Sequence, residues 1–226
     1  MSFFDELVRE TEAERQHLLS APIIGLVFKG EITRDHYVAF LAQAYHHVKH
    51  TVPLMMAVGS RLSEHKEWMR VAIAEYIEEE IGHQEWVLND IAACGYDKEF
   101  VRANRPSLAT EVMVAYAYDV IQRVNPLGFF GMVHVLEGTS INLADKVAGA
   151  VKSTLGLPPN AFSYLISHGS LDQDHVAFFE NLMNKVEDTE DQAAIIHSCK
   201  VFYKLYGDIF RALDSEHGIP KVAKSL

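Results

Sequence analysis

The stretch from His168 to His175 carries two histidines and an aspartate at a spacing that suits metal binding. It reads His-Gly-Ser-Leu-Asp-Gln-Asp-His, which sets His168, Asp172 and His175 at positions i, i+4 and i+7. On an α-helix these three side chains share one face. Leu165 and Leu182 recur at the same period, so this face is predicted to point into the protein. A buried carboxylate between imidazoles favours a bound cation, and a solvated Asp–His stripe is the alternative.

A second pair of candidate ligands is Glu80 and His83. They stand three residues apart in the run Glu78-Glu79-Glu80-Ile-Gly-His83. Glu-x-x-His is the spacing with which carboxylate-bridged di-iron bundles hold their metal ions. Consecutive glutamates usually form a solvated helix face, and we assign that role to Glu78 and Glu79. Glu80 and His83 are predicted to face the interior.

Glu137 is an acid that directly follows a mainly apolar run from Phe129 to Leu136. A carboxylate there is costly unless it is paired with a charge or protonated. Gly138 follows it directly, as Gly169 follows His168, and glycine destabilises a helix by about 1 kcal/mol relative to alanine. The two glycines therefore indicate either room for a ligand or close helix packing. His134, one turn before Glu137, is a candidate hydrogen-bond donor to a ligand.

Three histidines, His46, His47 and His50, cluster beside Lys49. A solvated polar face is the simplest explanation of such a cluster. His47 flanks the apolar stripe of its helix, whereas His46 and His50 lie across from that stripe. His47 is therefore predicted to face the interior.

The candidate ligands outside this cluster comprise three carboxylates and three imidazoles on three predicted helices, namely Glu80, His83, Glu137, His168, Asp172 and His175. Such a set suits two ferrous or manganous ions with open coordination positions. Structural zinc closes four ligands, usually with cysteine, so we favour redox-active iron. The chain has no Gly-x-Ser-x-Gly elbow, P-loop or dinucleotide fingerprint, and serine hydrolysis, phosphoryl transfer and nicotinamide chemistry have no support.

Helical periodicity runs through almost the whole chain and predicts an all-α fold. Pro53 is predicted to kink the third helix, Gly30 and Gly95 to end helices, and the tail after Gly218 to fray. The predicted helices span 2–19, 22–28, 35–62, 67–93, 97–103, 107–124, 126–155, 160–186 and 189–214.

Length and composition bound the remaining properties. A chain of 226 residues with 49% apolar residues can bury one core, so residues 1–226 are predicted to form one domain. The net charge of −11 argues against a sequence-independent nucleic-acid partner. No apolar run is long enough for a membrane span, and no leader pattern is present. Cys94 and Cys199 lack metal spacing and are predicted to be reduced core residues. A cytoplasmic protein without a nucleic-acid or membrane partner is expected.

The order of these motifs resembles the heme-oxygenase-like superfamily over nearly the whole chain. The matching segments are Phe40-Leu-Ala-Gln43-Ala-Tyr45-His-His47, Glu79-Glu80-Ile-Gly82-His83, Leu136-Glu137-Gly138 and His168-x3-Asp172-x2-His175. Within it, the sequence is similar to the heme-oxygenase-like di-iron oxidases, relatives of thiaminase II and pyrroloquinoline-quinone synthase. The resemblance implies a compact bundle of about seven to eight helices around a central cavity, with dioxygen activation at a non-heme di-iron centre. It also implies metal roles for Glu80, His83, Glu137, His168, Asp172 and His175.

The sequence departs from its relatives at several positions. Di-iron oxidases often add a carboxylate from the helix at 35–62, which has no interior acid here, so His47 is the candidate replacement and a weaker second iron site is expected. Thiaminase II has an aspartate where Ala44 stands and a cysteine nucleophile on the helix of Glu137, which has none here. Quinone synthases use arginines, which are scarce near these motifs. Heme oxygenases need a proximal histidine, for which His17 is the candidate, but a carboxylate-rich cavity suits heme poorly.

The resulting prediction is an iron-dependent oxidase or oxygenase that uses dioxygen on a small organic substrate. Tyr45, Phe129, Phe130 and Tyr164 are candidate cavity walls. Fatty acids, amino acids and aromatic acids all stay open as substrates. The alternatives are a cofactorless quinone-synthase-like oxidase, a thiaminase-like enzyme, or a non-catalytic metal-binding, ligand-binding or interaction module. A homodimer is expected, since helical domains of this type often pair through twofold interfaces.

Overall fold

A computed structural model describes the backbone of residues 1–213 and 218–222, and the side chains of the same residues except 140–145 and 167–176. The described chain confirms the predicted all-α fold and divides it into more helices than expected. In order, the twelve α-helices are α1 Phe3–Glu10, α2 Glu12–Leu19, α3 Pro22–Lys29, α4 Arg34–Val48, α5 Thr51–Arg61, α6 Glu67–Glu80, α7 His83–Ala93, α8 Lys98–Ala103, α9 Leu108–Asp119, α10 Phe129–Leu155, α11 Ser163–Met183 and α12 Thr189–Arg211.

The helix predicted over 35–62 is interrupted rather than kinked. Its first half, α4, ends at Val48, and α5 begins at Thr51. Pro53 explains the position of the break, because it has no N–H to donate to the carbonyl of Lys49 four residues earlier. The interruption leaves His47 in the last turn of α4.

The helix predicted over 67–93 is also interrupted, in the middle of the Glu80–His83 pair. Gly82 has φ of 97°, a left-handed conformation that glycine adopts without steric cost. Glu80 is therefore the last residue of α6 and His83 the first residue of α7. The predicted helix over 2–19 likewise divides at Thr11, whose hydroxyl donates to the carbonyl of Leu7 at 2.7 Å.

The long helix α10 packs against both α11 and α12, and these three helices form much of the core. Gly131 is required at the α10–α12 contact, because a Cβ there would lie 2.5 Å from the backbone nitrogen of Cys199. Cys199 and Cys94 are both buried and free, as predicted. Burial raises the pKa of the Cys94 thiol to about 12.

Asp90 holds the start of α11, the helix that carries His168, Asp172 and His175. Its fully buried carboxylate accepts hydrogen bonds from the backbone N–H of Ser163 at 3.1 Å, the backbone N–H of Tyr164 at 2.8 Å, and the Ser163 hydroxyl. These bonds satisfy donors at the helix N-terminus that have no partner within the helix. Burial raises the pKa of Asp90, although the same hydrogen bonds act to lower it.

The Asp90→Ala protein is expected to lose roughly 2 to 4 kcal/mol of unfolding free energy, because it leaves two backbone N–H groups and a hydroxyl without their acceptor. Urea denaturation would measure this loss. The matched control is Asn89→Ala at the exposed neighbouring position, where a change within about 0.5 kcal/mol is expected. Equal effects of the two substitutions would show that the Asp90 cap does not stabilise the fold.

The C-terminal segment differs from the frayed tail expected after Gly218. The backbone N–H of Asp97 donates to Pro220, and that of Val222 donates to Gly95, each at 2.9 Å. Residues 218–222 thus pair with the loop between α7 and α8, while residues 223–226 lie outside the described structure. Over the described residues, no helix combines the length and apolar character that a membrane crossing requires.

Candidate functional site

A cavity lies among α4, α5, α6, α10, α11 and α12. Among its described lining residues, the potential metal ligands are His47 from the end of α4, Glu80 from the end of α6 and Glu137 from the middle of α10. The interruptions after Val48 and Glu80 place two of these side chains at helix ends. The structure thus brings together three predicted ligands from helices that are distant in the chain.

Glu80 and His83 interact directly across the turn between α6 and α7. The Nδ1 atom of His83 lies 3.0 Å from Oε2 of Glu80, and their side chains are 3% and 13% exposed, respectively. A neutral His83 that donates from Nδ1 leaves Nε2 as its coordinating nitrogen. Glu78 and Glu79 are exposed, so the prediction that only Glu80 of this run turns inward is confirmed.

Tyr76 is a site residue that the sequence reasoning missed. It lies one turn before Glu80 on α6, is 2% exposed, and lies close enough to Glu137 for that carboxylate to act on its hydroxyl. Burial raises the pKa of Tyr76, and the charges of Glu137, Glu79 and Glu80 raise it further. The phenol therefore stays protonated and can donate to the carboxylate. A tyrosine in an apolar helical stripe is indistinguishable by sequence from a core residue, so no signal pointed to it.

His47 faces the interior as predicted and lines the cavity, whereas the prediction that His46 lies away from the interior is wrong. His47 is 2% exposed, and its ring meets the ring of Tyr206 edge-on at 5.8 Å. His46 is also buried, but its Nδ1 lies 3.3 Å from Nζ of Lys49. His50 contacts a different residue, the hydroxyl of Tyr118, at 3.1 Å. Only His47 of the three lines the cavity.

The glycine next to Glu137 leaves space rather than a close contact. A Cβ at Gly138 would meet no atom within 4 Å, so tight helix packing does not explain this glycine. His134 differs from its predicted role, because its ring packs among Phe4, Phe179 and Tyr203 at centroid distances of 5.8 to 6.2 Å instead of lining the cavity. Burial lowers the pKa of His134 to about 4, and the charge of Arg15 contributes.

The buried His134 is expected to make folding stability depend on pH. Below its ordinary pKa of 6.5 the unfolded chain binds a proton that the folded protein does not, so stability should fall as pH drops from 6.5 towards 4. The expected slope from this residue is about 1.4 kcal/mol per pH unit. Unfolding free energies measured by urea denaturation across this range should show a shallower slope in His134→Phe. The exposed His197→Phe variant should keep the wild-type slope, and an unchanged slope in His134→Phe would contradict the assignment.

The candidate ligands His168, Asp172 and His175 lie on α11, but their side chains fall outside the described residues. Among the side chains that are described, no three His, Cys, Asp or Glu groups are positioned to hold a metal ion on their own. The donors that line the cavity are two carboxylates and one imidazole, which are ligand types that ferrous iron accepts. α11, the helix that carries the other three predicted ligands, packs along α10.

The structure also shows where the predicted cavity-wall residues and the candidate heme ligand lie. Phe129 and Tyr164 line the cavity as predicted, whereas Tyr45 and Phe130 are buried in the core outside its lining. His17 is exposed on α2, so it does not offer a proximal ligand for heme in this cavity. Cys199, predicted to be a core residue, is buried at the α10–α12 contact and does not line the cavity.

Comparison with solved structures places this arrangement in the heme-oxygenase-like fold. A domain of unknown function with that fold from Shewanella denitrificans is 25% identical, with a TM-score of 0.86 over 93% of this chain and 91% of that chain. A TenA homologue from Pseudomonas syringae is 12% identical, with a TM-score of 0.76 over 93% and 91% of the two chains. Heme oxygenase from Leptospira interrogans is 18% identical, with a TM-score of 0.65 over 94% and 100%.

The family model described as iron-containing redox enzyme matches residues 38–207, and the chain belongs to that family. The matched span contains His47 and the six other candidate ligands of the non-heme metal site. A curated relative, the 4-aminobenzoate synthase of Chlamydia muridarum, is 22% identical over 211 residues, which cover 92% of this chain and 88% of the relative. The resemblance of the motifs to the heme-oxygenase-like superfamily is therefore confirmed.

Proposed function

We propose that this protein is a non-heme iron oxidase or oxygenase that uses dioxygen to transform a small organic substrate. Membership of a family of iron-containing redox enzymes supports the general class. The observation that carries the proposal is the meeting of His47, Glu80 and Glu137 in one cavity, with His83 bonded to Glu80. The Chlamydia relative is named for the synthesis of 4-aminobenzoate, which is consistent with a small organic substrate.

We assign the metal ions to seven residues, with His47 at the weaker of two sites. Bound iron would supply dioxygen binding and redox chemistry. In this proposal the Tyr76 hydroxyl would orient Glu137 in the metal-bound protein, while Glu80 orients the His83 ring. Apolar walls from α10 exclude water and thereby strengthen electrostatic interactions in the cavity. The proposed ligands are Glu80, His83, Glu137, His168, Asp172, His175 and His47.

Iron loading under anaerobic conditions, followed by elemental analysis and dioxygen measurement, tests the proposal. We expect the protein to retain close to two ions when iron is in excess and one after desalting, because the second site is weaker. The ferrous protein should then consume dioxygen when mixed with air-saturated buffer. A protein that retains no iron, or retains iron without consuming dioxygen, would instead be a ligand-binding module.

The Tyr76→Phe protein is expected to bind ferrous iron about 10- to 100-fold more weakly, the usual effect of removing a hydrogen-bond partner of a metal ligand. Competition with a chelator of known affinity measures this change. Tyr116→Phe is the matched control, since Tyr116 packs edge-on against Phe202 and its pKa is raised by burial and by Asp119, which is not a candidate ligand. Wild-type affinity in Tyr76→Phe would show that its hydroxyl does not position Glu137.

Homodimerisation and a cytoplasmic location stay predictions from the sequence. Sedimentation analysis of the purified protein measures the first. The absence of a nucleic-acid partner, expected from the net charge of −11, also stays a prediction.

A further inference from the structure

A second, larger chamber lies next to the proposed metal cavity. It is formed by α3, α4, α10, α11 and α12 and opens to solvent on one side. Aliphatic side chains of α3 and α10 make up much of its wall, among them Ile23, Ile24, Val27, Val147 and Val151. The metal chemistry proposed above makes no use of this chamber.

Two tyrosines belong to the walls of both spaces. Tyr164 and Tyr206 line the metal cavity and the apolar chamber alike, and both are more than nine-tenths buried. The ring centroid of Tyr206 lies 5.8 Å from that of His47 and 4.7 Å from that of Phe210, a residue of the chamber wall. Tyr164 is held at its backbone by Asp90. A ligand that fills the chamber therefore ends against the rings that border the metal cavity.

The described walls of the chamber offer no ionic partner to a charged group. Its described lining contains no Lys, Arg, Asp or Glu. Apart from tyrosines, His36 is the one titratable residue among the described lining residues. The Nδ1 atom of His36 already accepts a hydrogen bond from the backbone N–H of Thr33 at 3.2 Å. Burial of a charge without a partner is strongly unfavourable. The described walls therefore favour an apolar group.

We propose that the apolar chamber binds the aliphatic body of the substrate and that the polar, reacting end of the same molecule lies at Tyr164 and Tyr206, facing His47, Glu80 and Glu137. The substrate class is a neutral molecule with a hydrocarbon chain and one polar end. Polar amino acids do not fit this description. The identity of the reaction rests on the proposed iron chemistry, whereas the binding of the chain does not.

Calorimetric titration with straight-chain primary alcohols, from hexan-1-ol to decan-1-ol, tests the chamber on the full-length protein, both metal-free and iron-loaded. Affinity should rise by roughly fourfold for each added methylene, as expected for transfer of CH₂ groups into an apolar space. Ile24→Trp places a larger side chain in the chamber wall and should weaken decan-1-ol binding by more than about tenfold.

Ile196→Trp is the matched control, because Ile196 is also a partly buried isoleucine packed on the core but does not line the chamber. It should bind the alcohols like the wild type. Circular dichroism and thermal unfolding would confirm that both variants fold. Ile24→Ala changes the same position without filling the chamber, and it should still bind the alcohols. Absence of chain-length dependence in the wild type, or equal losses in the two tryptophan variants, would overturn the inference.

The same titrations separate this inference from the proposed function. Alcohol binding by a protein that retains no iron would support the chamber and refute the oxidase. Iron binding and dioxygen consumption by a protein that binds no alcohol would support the oxidase and refute the chamber.

Discussion

The Glu80→Gln protein is expected to bind ferrous iron at least about 100-fold more weakly than the wild type and to lose iron-dependent dioxygen consumption. Glu80 lines the cavity with a side chain that is 13% exposed, and it also accepts the hydrogen bond of His83. Its replacement by an amide removes an anionic ligand and weakens the orientation of His83. Loss of an outer hydrogen-bond partner alone typically costs 10- to 100-fold in metal affinity, so loss of a ligand should cost more.

The neighbouring Glu79→Gln protein is an unusually close control. It carries the same chemical change at the adjacent position of α6, but the Glu79 residue is exposed. Iron affinity and dioxygen consumption should stay within about twofold of the wild type, since an exposed charge is well screened. Anaerobic iron titration and an oxygen electrode measure both quantities. If the two variants lose iron equally, the general negative charge of this run holds the metal, and Glu80 is not a specific ligand.

The second large effect is expected at His47, where related oxidases often have a carboxylate. A neutral imidazole contributes no negative charge to a second dication, so wild-type protein should bind two irons with clearly different affinities. The His47→Ala protein should lose the weaker site and keep the stronger one. The His47→Glu protein should tighten the weaker site by about tenfold or more, because it restores an anionic ligand next to Glu80 and Glu137.

The control for these variants is His46→Ala. His46 is buried like His47 and adjacent to it, but it contacts Lys49 and does not line the cavity. Its removal should leave both iron affinities near the wild-type values. Anaerobic titration of the four proteins with ferrous iron gives the comparison, and three indistinguishable isotherms from wild type, His47→Ala and His47→Glu would remove His47 from the site.

Several features of this protein could be predicted from the sequence because they depend on local periodicity. The apolar repeat at helical spacing predicted the all-α fold, and the order of the motifs around Glu80, Glu137 and His168 indicated the superfamily. The inward orientation of His47 followed from helical phase, and that of Glu80 followed from its spacing to His83. Phase determines which face of a helix is apolar, and that face determines which side chains enter the interior.

Other features were decided by the tertiary structure. The helix interruptions after Val48 and Glu80 end elements whose periodicity continues across them, so the pattern alone could not reveal them. The contact of Tyr76 with Glu137 and the cap that Asp90 forms on α11 join segments far apart in the chain. Such contacts depend on how helices pack, which periodicity does not specify. For the same physical reason, only the packed structure revealed Tyr206 and the apolar chamber beside the site.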